Sequence, residues 1–246
     1  MQPEWLILFD IDGTLLNSGG CGRAATRLAL DEVFGTAGEA GTIAFAGKTD
    51  WQITIEALAS AGVARDEIDA RLDDYNVAVT RHLSALIDSY PVRACPGAHA
   101  LVAALKARGD VLIGLVTGNM TGLIPVKLRT AGFDPADFRV GAFGSDGWER
   151  SMLPPLALAR AEALAGRPFP PERVVIIGDT PGDIACAASI GARTLAVATG
   201  PFTAEQLRVC GPTYVFDTLA ETETVLGALF RDGAADLGPG AARVEE

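Results

Sequence analysis

The sequence predicts a doubly wound α/β fold on a parallel sheet, with a helical module inserted after the first strand. Three observations carry that prediction. Short, uniformly apolar runs recur along the chain, as strands buried on both faces require. Helical patterns separate the later runs, the alternation that gives right-handed crossovers. From about Asn17 to Val92, by contrast, no strong strand pattern occurs, only helical ones.

The first run is "WLILF" (Trp5–Phe9), followed by Asp10-x-Asp12-Gly13-Thr14. In the inserted module Asp50 stands where it would cap a helix over "WQITIEALASAG", closed by Gly62. In "RDEIDARLDDYNVAVTRHLSALIDS", Ile68, Leu72, Tyr75, Val79, Leu83 and Leu86 recur at helical spacing and define one apolar face. The alternation then resumes. "LVAALKARG", with Gly109 as its stop, precedes "VLIGLV" (Val111–Val116), which leads into Thr117-Gly118-Asn119. "PPLALARAEALAG" opens with prolines suited to a first helical turn and closes at Gly166. It precedes "VVIIG" (Val174–Gly178), which runs into Asp179-Thr180-Pro181-Gly182-Asp183. "PGDIACAASIG" leads to the last run, "TLAVA" (Thr194–Ala198). The tail from about Arg231 is rich in Gly, Ala and charge and is expected to fray. The expected division is a core of 1–16 and 93–230, a helical module of 17–92 and a tail of 231–246.

Composition narrows the function. The 246 residues, 49% hydrophobic and 21% charged, suffice for one large domain or two small ones with a sizeable core. The net charge of −11, from 31 acids and 20 bases, disfavours nonspecific binding to nucleic acid or an anionic membrane. Small anionic substrates stay open if a cation or a few local bases reverse the sign inside a site. The four cysteines, Cys21, Cys95, Cys186 and Cys210, form no C-x-x-C pair, so reduced thiols are expected, not a disulfide framework or zinc site. The N-terminal "MQPEW" lacks a signal-peptide pattern, and no apolar run approaches the roughly 20 residues that span a bilayer. A cytoplasmic protein, monomeric or homodimeric, is expected.

In an open α/β sheet, ligands bind outside the carboxyl ends of the strands. Three strand ends here carry polar groups of a coherent kind, two of them acidic, so at least three carboxylates should converge on one rim. They repel one another unless a cation intervenes. With oxygen ligands alone, and no histidine or cysteine among them, that cation is expected to be Mg²⁺ and not zinc.

Together, "DIDGT", "VTGN" and "GDTPGD" resemble the haloacid dehalogenase-like (HAD) hydrolase superfamily, in its phosphoglycolate phosphatase-like branch with a helical cap on a Rossmann-like core. "CPGAHALVAALKARG" is similar to the cap-to-core junction of that branch, and the resemblance extends from Leu6 to about Leu229. It implies a phosphatase acting on a small phosphorylated metabolite, such as phosphoglycolate or a sugar phosphate. Asp10 would be the nucleophile that forms an aspartyl-phosphate. Asp12 would protonate the leaving oxygen and then activate water. Thr117, with Gly118 and Asn119, would hold phosphoryl oxygens. Asp10, the Asp12 carbonyl, Asp179 and Asp183 would hold Mg²⁺.

One motif departs from the family pattern. Where a lysine is expected before a proline-rich helix start, "RSMLPPLALARA" offers Arg150, and none of the three lysines (Lys48, Lys106, Lys127) lies in that segment. In the cap, Lys48 of "FAGKTD" is either a contact for an anionic group on the substrate or a solvated loop lysine. Asn17 and the "SGG" of Ser18–Gly20 fit a hinge. His82 and His99 fall in helical contexts and are expected to be structural. Asp12 argues against a dehalogenase and against a phosphonoacetaldehyde hydrolase-like enzyme, in which Lys48 would form the imine. A sugar-phosphate mutase keeps all these motifs, and a catalytically silent binding module finds support only in Arg150. A nucleotide-dependent oxidoreductase lacks its G-x-G-x-x-G.

Overall fold

The computed structural model describes residues 2–231. Its first strand, β1 (Trp5–Phe9), is followed by a two-residue strand β2 (Leu16–Asn17) and four helices: α1 (Cys21–Phe34), α2 (Asp50–Ala59), α3 (Arg65–Ala70) and α4 (Leu72–Leu86). The chain returns through β3 (Arg93–Ala94), antiparallel to β2, into α5 (Ala98–Ala107), β4 (Val111–Val116), α6 (Leu123–Thr130) and β5 (Val140–Ala142). It continues with α7 (Leu153–Ala165), β6 (Val174–Gly178), α8 (Pro181–Ala187), β7 (Arg193–Val197), α9 (Ala204–Arg208), β8 (Tyr214–Phe216) and α10 (Thr222–Leu229).

Six strands form one parallel sheet in the order β5-β4-β1-β6-β7-β8. β1 is central, pairing Leu6 with Leu112 on one side and with Val174 on the other. Its side chains alternate between two cores. Ile7 and Phe9 pack with Ile113, Leu115 and Ile177 under α5, α6 and α10, while Leu6 and Leu8 pack with Leu112 and Ile176 under α7 and α8. Burial on both faces is why the strand reads as an unbroken apolar run, and each such side chain contributes about 1.5–3 kcal/mol.

The inserted helices have a core of their own. Leu30 of α1, Leu58 of α2, Ile68 of α3 and Tyr75, Val79 and Leu83 of α4 are buried together. Tyr75 reaches the Thr26 hydroxyl with its own (3.4 Å), and burial pushes its phenol pKa up.

The structure corrects several local readings. Thr49, not Asp50, caps α2: its hydroxyl accepts from the Gln52 amide at 3.0 Å. Asp50 is the first helical residue and its carboxylate is used elsewhere. The long helical face is split at Arg71, whose φ of −113° breaks the backbone between α3 and α4, and Leu86 is only half-buried. α5 ends one turn residue early, with Arg108 as its cap instead of Gly109. The last predicted run starts at Arg193, one residue ahead of the expected Thr194, and ends at Val197. β5 and β8, three residues each, have no counterpart in the sequence reading because so few residues set no period. The tail expected to fray falls outside the described residues, Arg231 apart.

Cys21, Cys95 and Cys186 are buried free thiols and Cys210 is an exposed one. His82 sits 2.8 Å from the Glu32 carboxylate, and His99 stacks on Phe133 with centroids 4.1 Å apart; neither is at a strand end. Among the described residues no helix is long and apolar enough to cross a membrane.

Candidate active site

Directly after β1 the Asp10 amide donates to the Ile177 carbonyl (2.9 Å), which carries the acid to the carboxyl rim of the sheet. The chain then turns at Gly13, whose φ is +86°. A Cβ there would lie 2.2 Å from Asp179 Oδ2, so only glycine lets the first loop approach the acid that follows β6. Thr14 closes the contact by donating to Asp179 Oδ1 at 3.0 Å.

Asp10, Asp179 and Asp183 are all buried, and one oxygen from each lies within 4.8 Å of the others. Arg150, in the 3₁₀ turn just before α7, is buried among them. Its Nη2 donates to Asp10 Oδ1 (2.8 Å), to Asp183 Oδ1 and to the Val116 carbonyl (3.4 Å). Asp183 also closes a capping box on α8, its Oδ2 accepting from the Thr180 amide (3.0 Å) and hydroxyl (2.6 Å).

Three buried carboxylates facing one guanidinium leave excess negative charge. Burial pushes the Asp10 carboxyl up to about 6; Arg150 pulls it down, and Asp183 and Asp12 push it back up. Asp179 is raised well above the usual range by burial and by its neighbours Asp183 and Asp10. Burial opposes the charge of Arg150, but Asp183 and Asp10 outweigh it and hold the guanidinium ionised. Buried charges of this kind are stable when paired or when they ligate a cation. An all-oxygen donor set of three acids fits a hard divalent metal ion, and the cluster is able to hold one.

Asp12 turns away from this cluster. Its Oδ2 accepts from Lys127 Nζ (2.6 Å) and from Asn119 Nδ2 (2.8 Å), and its Oδ1 accepts from the Ser18 hydroxyl (3.0 Å). Burial works to raise its pKa, but the Lys127 ammonium overrides that, and the Asp12 carboxyl is held below the usual range. Asn119 Nδ2 also donates to Thr117 Oγ1 at 2.8 Å, while its Oδ1 accepts from Lys127. The side chain of Asn119 is thus spent on joining Thr117, Asp12 and Lys127.

Lys127 was not among the residues singled out by sequence. It lies on α6 ten residues past Thr117, on the same face as the buried Leu123, Ile124 and Leu128, and its side chain is only 4% exposed. The one available signal was a lysine on the buried face of the helix that follows "VTGN".

A cavity of 460 Å³ opens over these residues, lined by Asp10, Asp12, Thr117, Gly118, Asn119, Lys127, Arg150 and Asp179 from the core, and by Arg23, Phe45, Lys48 and Asp50 from the inserted helices. Lys48 faces it while ion-paired with Glu56. Gly118 is where the inserted segment docks. Its carbonyl accepts from the Asp50 amide (2.7 Å), and a Cβ on it would strike the Lys48 carbonyl at 2.0 Å. The Asp50 carboxylate accepts from the Met120 amide (2.8 Å), and burial pushes its pKa up to about 6 against the pull of Lys127.

The site is thus an acid cluster on the carboxyl rim of a doubly wound sheet, in a cavity also lined by helices inserted after the first strand. The family model for haloacid dehalogenase-like hydrolases matches residues 7–188, and the chain belongs to that family. No curated protein gives a significant match. Solved structures share the fold. A protein described as a predicted phosphoglycolate phosphatase from Haemophilus somnus is 22% identical, with a TM-score of 0.64, covering 92% of this chain and 99% of its own. CbbY from Rhodobacter sphaeroides, in complex with xylulose-(1,5)bisphosphate, is 22% identical with a TM-score of 0.66, covering 90% and 96%. A hydrolase from Pseudomonas syringae is 20% identical with a TM-score of 0.62, covering 90% and 97%.

Proposed function

We propose that the protein is a Mg²⁺-dependent phosphomonoesterase acting on a small phosphorylated metabolite. The observation that carries this reading is the opposite setting of two acids two residues apart. Asp10 lies in a buried acid cluster, while Asp12 lies in a lysine-lined pocket facing the inserted helices.

Asp10 Oδ1 is tied to Arg150, and Oδ2 accepts no hydrogen bond from the described residues, which leaves it available for attack. Asp10 attacks phosphorus, the bond to the leaving oxygen breaks, and Asp12 gives that oxygen its proton. Asp12 then takes a proton from the water that hydrolyses the aspartyl-phosphate, returning both acids to their starting states. Its depressed pKa suits the second role, and the approaching phosphoryl dianion raises it for the first. Thr117, fixed by Asn119, and the adjoining amides orient phosphoryl oxygens. Arg150 offsets the charge between nucleophile and substrate. Asp10, Asp179 and Asp183, with the Asp12 carbonyl, would hold Mg²⁺, which when bound neutralises nucleophile and phosphoryl group against each other. The helices of 17–92 act as the cap, docked through Gly118 and Asp50, and exclude bulk water. The phosphoglycolate and bisphosphate named for structural relatives support a small, acidic phosphate ester.

The test is phosphate release from a panel of small phosphate monoesters, with and without Mg²⁺. Turnover is expected only with the metal and should cease on chelation. Turnover untouched by a chelator would sink the metal requirement, and a phosphoenzyme that never releases phosphate would reassign the chain to phosphoryl transfer.

Lys127→Met should lower kcat/KM at neutral pH by about 10–100-fold. The sign of its pH effect is fixed by the electrostatics. Lys127 favours the Asp12 carboxylate, so its loss raises the Asp12 pKa; because Asp12 must carry a proton when the leaving oxygen departs, the basic limb of the pH–rate profile moves to higher pH. A limb that stays in place would show that Lys127 only supports packing.

A further inference from the structure

Four cations line the cavity: Arg23, Lys48, Lys127 and Arg150. Three are paired with carboxylates, Lys48 with Glu56, Lys127 with Asp12, and Arg150 with Asp10 and Asp183. Arg23 differs. Among the described residues it has no carboxylate partner; its Nη1 donates to the Ala40 carbonyl (2.8 Å) and the Ile43 carbonyl (2.9 Å). Nε and Nη2 make no hydrogen bond to the described residues. The guanidinium is held 4.0 Å from the centroid of Phe45, itself a cavity-lining residue. Two carbonyls and an aromatic face fix the group without neutralising it, and the donors they leave over have the fork geometry that carboxylates and phosphates accept.

Its place in the cavity is also informative. Arg23 is in the first turn of α1, beside Gly22, where a Cβ would lie 3.5 Å from Lys127 Nζ. That turn therefore roofs the Asp12–Lys127 side of the site, where the leaving group sits if the phosphoryl group is on Asp10. An unneutralised arginine over that position is preorganised for an anion on the leaving group, and preorganisation lowers the cost of binding it.

We infer that Arg23 receives a second anionic group of the substrate, so the preferred substrate is a phosphomonoester whose leaving group itself carries a carboxylate or a second phosphate. This rests on the phosphomonoesterase reading above.

Matched pairs test it with the Mg²⁺-loaded enzyme. 2-Phosphoglycolate is compared with 2-hydroxyethyl phosphate, and 1,3-propanediol bisphosphate with 3-hydroxypropyl phosphate. The ratio of kcat/KM within each pair is measured for wild type, Arg23→Met and Arg23→Lys. Wild type should favour the anionic member of at least one pair by ~10-fold or more, and the pair that shows it tells a carboxylate from a phosphate. Arg23→Met should collapse that ratio chiefly through KM, and Arg23→Lys should restore part of it. Equal ratios in wild type overturn the inference. So does a loss in Arg23→Met that is the same for both members, since an arginine that only staples the loop at Ala40 and Ile43 would act on both alike. Turnover of a neutral member by wild type, lost in Asp10→Asn, upholds the phosphomonoesterase reading whatever the ratios do. No turnover of any member overturns that reading and this inference with it.

Discussion

Asp10→Asn should abolish turnover, by ~10⁴-fold or more, while leaving the metal-free protein at least as stable as wild type. The amide keeps an acceptor for Arg150 Nη2 at the position where Asp10 Oδ1 now sits, 2.8 Å away, so the surroundings have no reason to collapse. What it lacks is a nucleophilic oxygen. The stability side follows by linkage. Burial raises the Asp10 carboxyl from 3.8 to about 6, so between those pH values the folded state holds the proton more tightly than the unfolded state. Stability from this group is present at low pH and is lost as pH rises through that window, by at most about 3 kcal/mol. Asparagine carries no such loss. Its Tm should therefore match wild type near pH 4 and exceed it at pH 7.5 in chelating buffer. Added Mg²⁺ should reverse the order, because only the intact acid cluster gains from the metal. Residual turnover, or a phosphoenzyme in Asp10→Asn, would remove Asp10 from the nucleophile's role.

What was legible in the sequence is what the sheet positions. Asp10, Thr117 and Asp179 each follow a buried strand by one residue, and parallel strands hold such positions at one rim whatever packs above them. Lys127, Arg23 and Asp50 reach the same cavity from helices. Whether a helical residue faces a site depends on how the helix is rotated and docked, and α1 and α6 both pack against α4, while Ile124 and Leu128 seat α6 on the sheet. The Asp50 misreading has the same origin. By local preference either Thr49 or Asp50 caps a helix, but Asp50 is drawn to the Met120 amide across the interface, leaving the cap to Thr49. Lys48 remained open in the sequence and proves to face the cavity with its charge already met by Glu56.

Arg150→Ala should cost both activity and stability, while Arg150→Lys should keep much of each. Alanine leaves Asp10, Asp179 and Asp183 within 4.8 Å of one another with no buried cation, a loss of about 3–5 kcal/mol in metal-free buffer and at least ~10³-fold in kcat/KM. Lysine is a different matter. The arginine's hydrogen bonds to Asp10, Asp183 and the Val116 carbonyl converge on Nη2, the Cys186 thiol lies beside the guanidinium, and its buried Nε has no partner. The fork that distinguishes arginine from lysine is therefore unused, and the group acts as a single point donor. One ammonium at that place would meet the same acceptors and remove an unsatisfied N–H, which itself costs about 1–3 kcal/mol. Arg150→Lys is thus expected to stay within about tenfold of wild type in kcat/KM, measured beside Tm, so that folding and chemistry are read separately. If alanine turned over as fast as wild type, Arg150 would be a structural counter-ion alone. If lysine failed as badly as alanine, the reach of the guanidinium, and not its charge, would be what this site requires in place of the family's lysine.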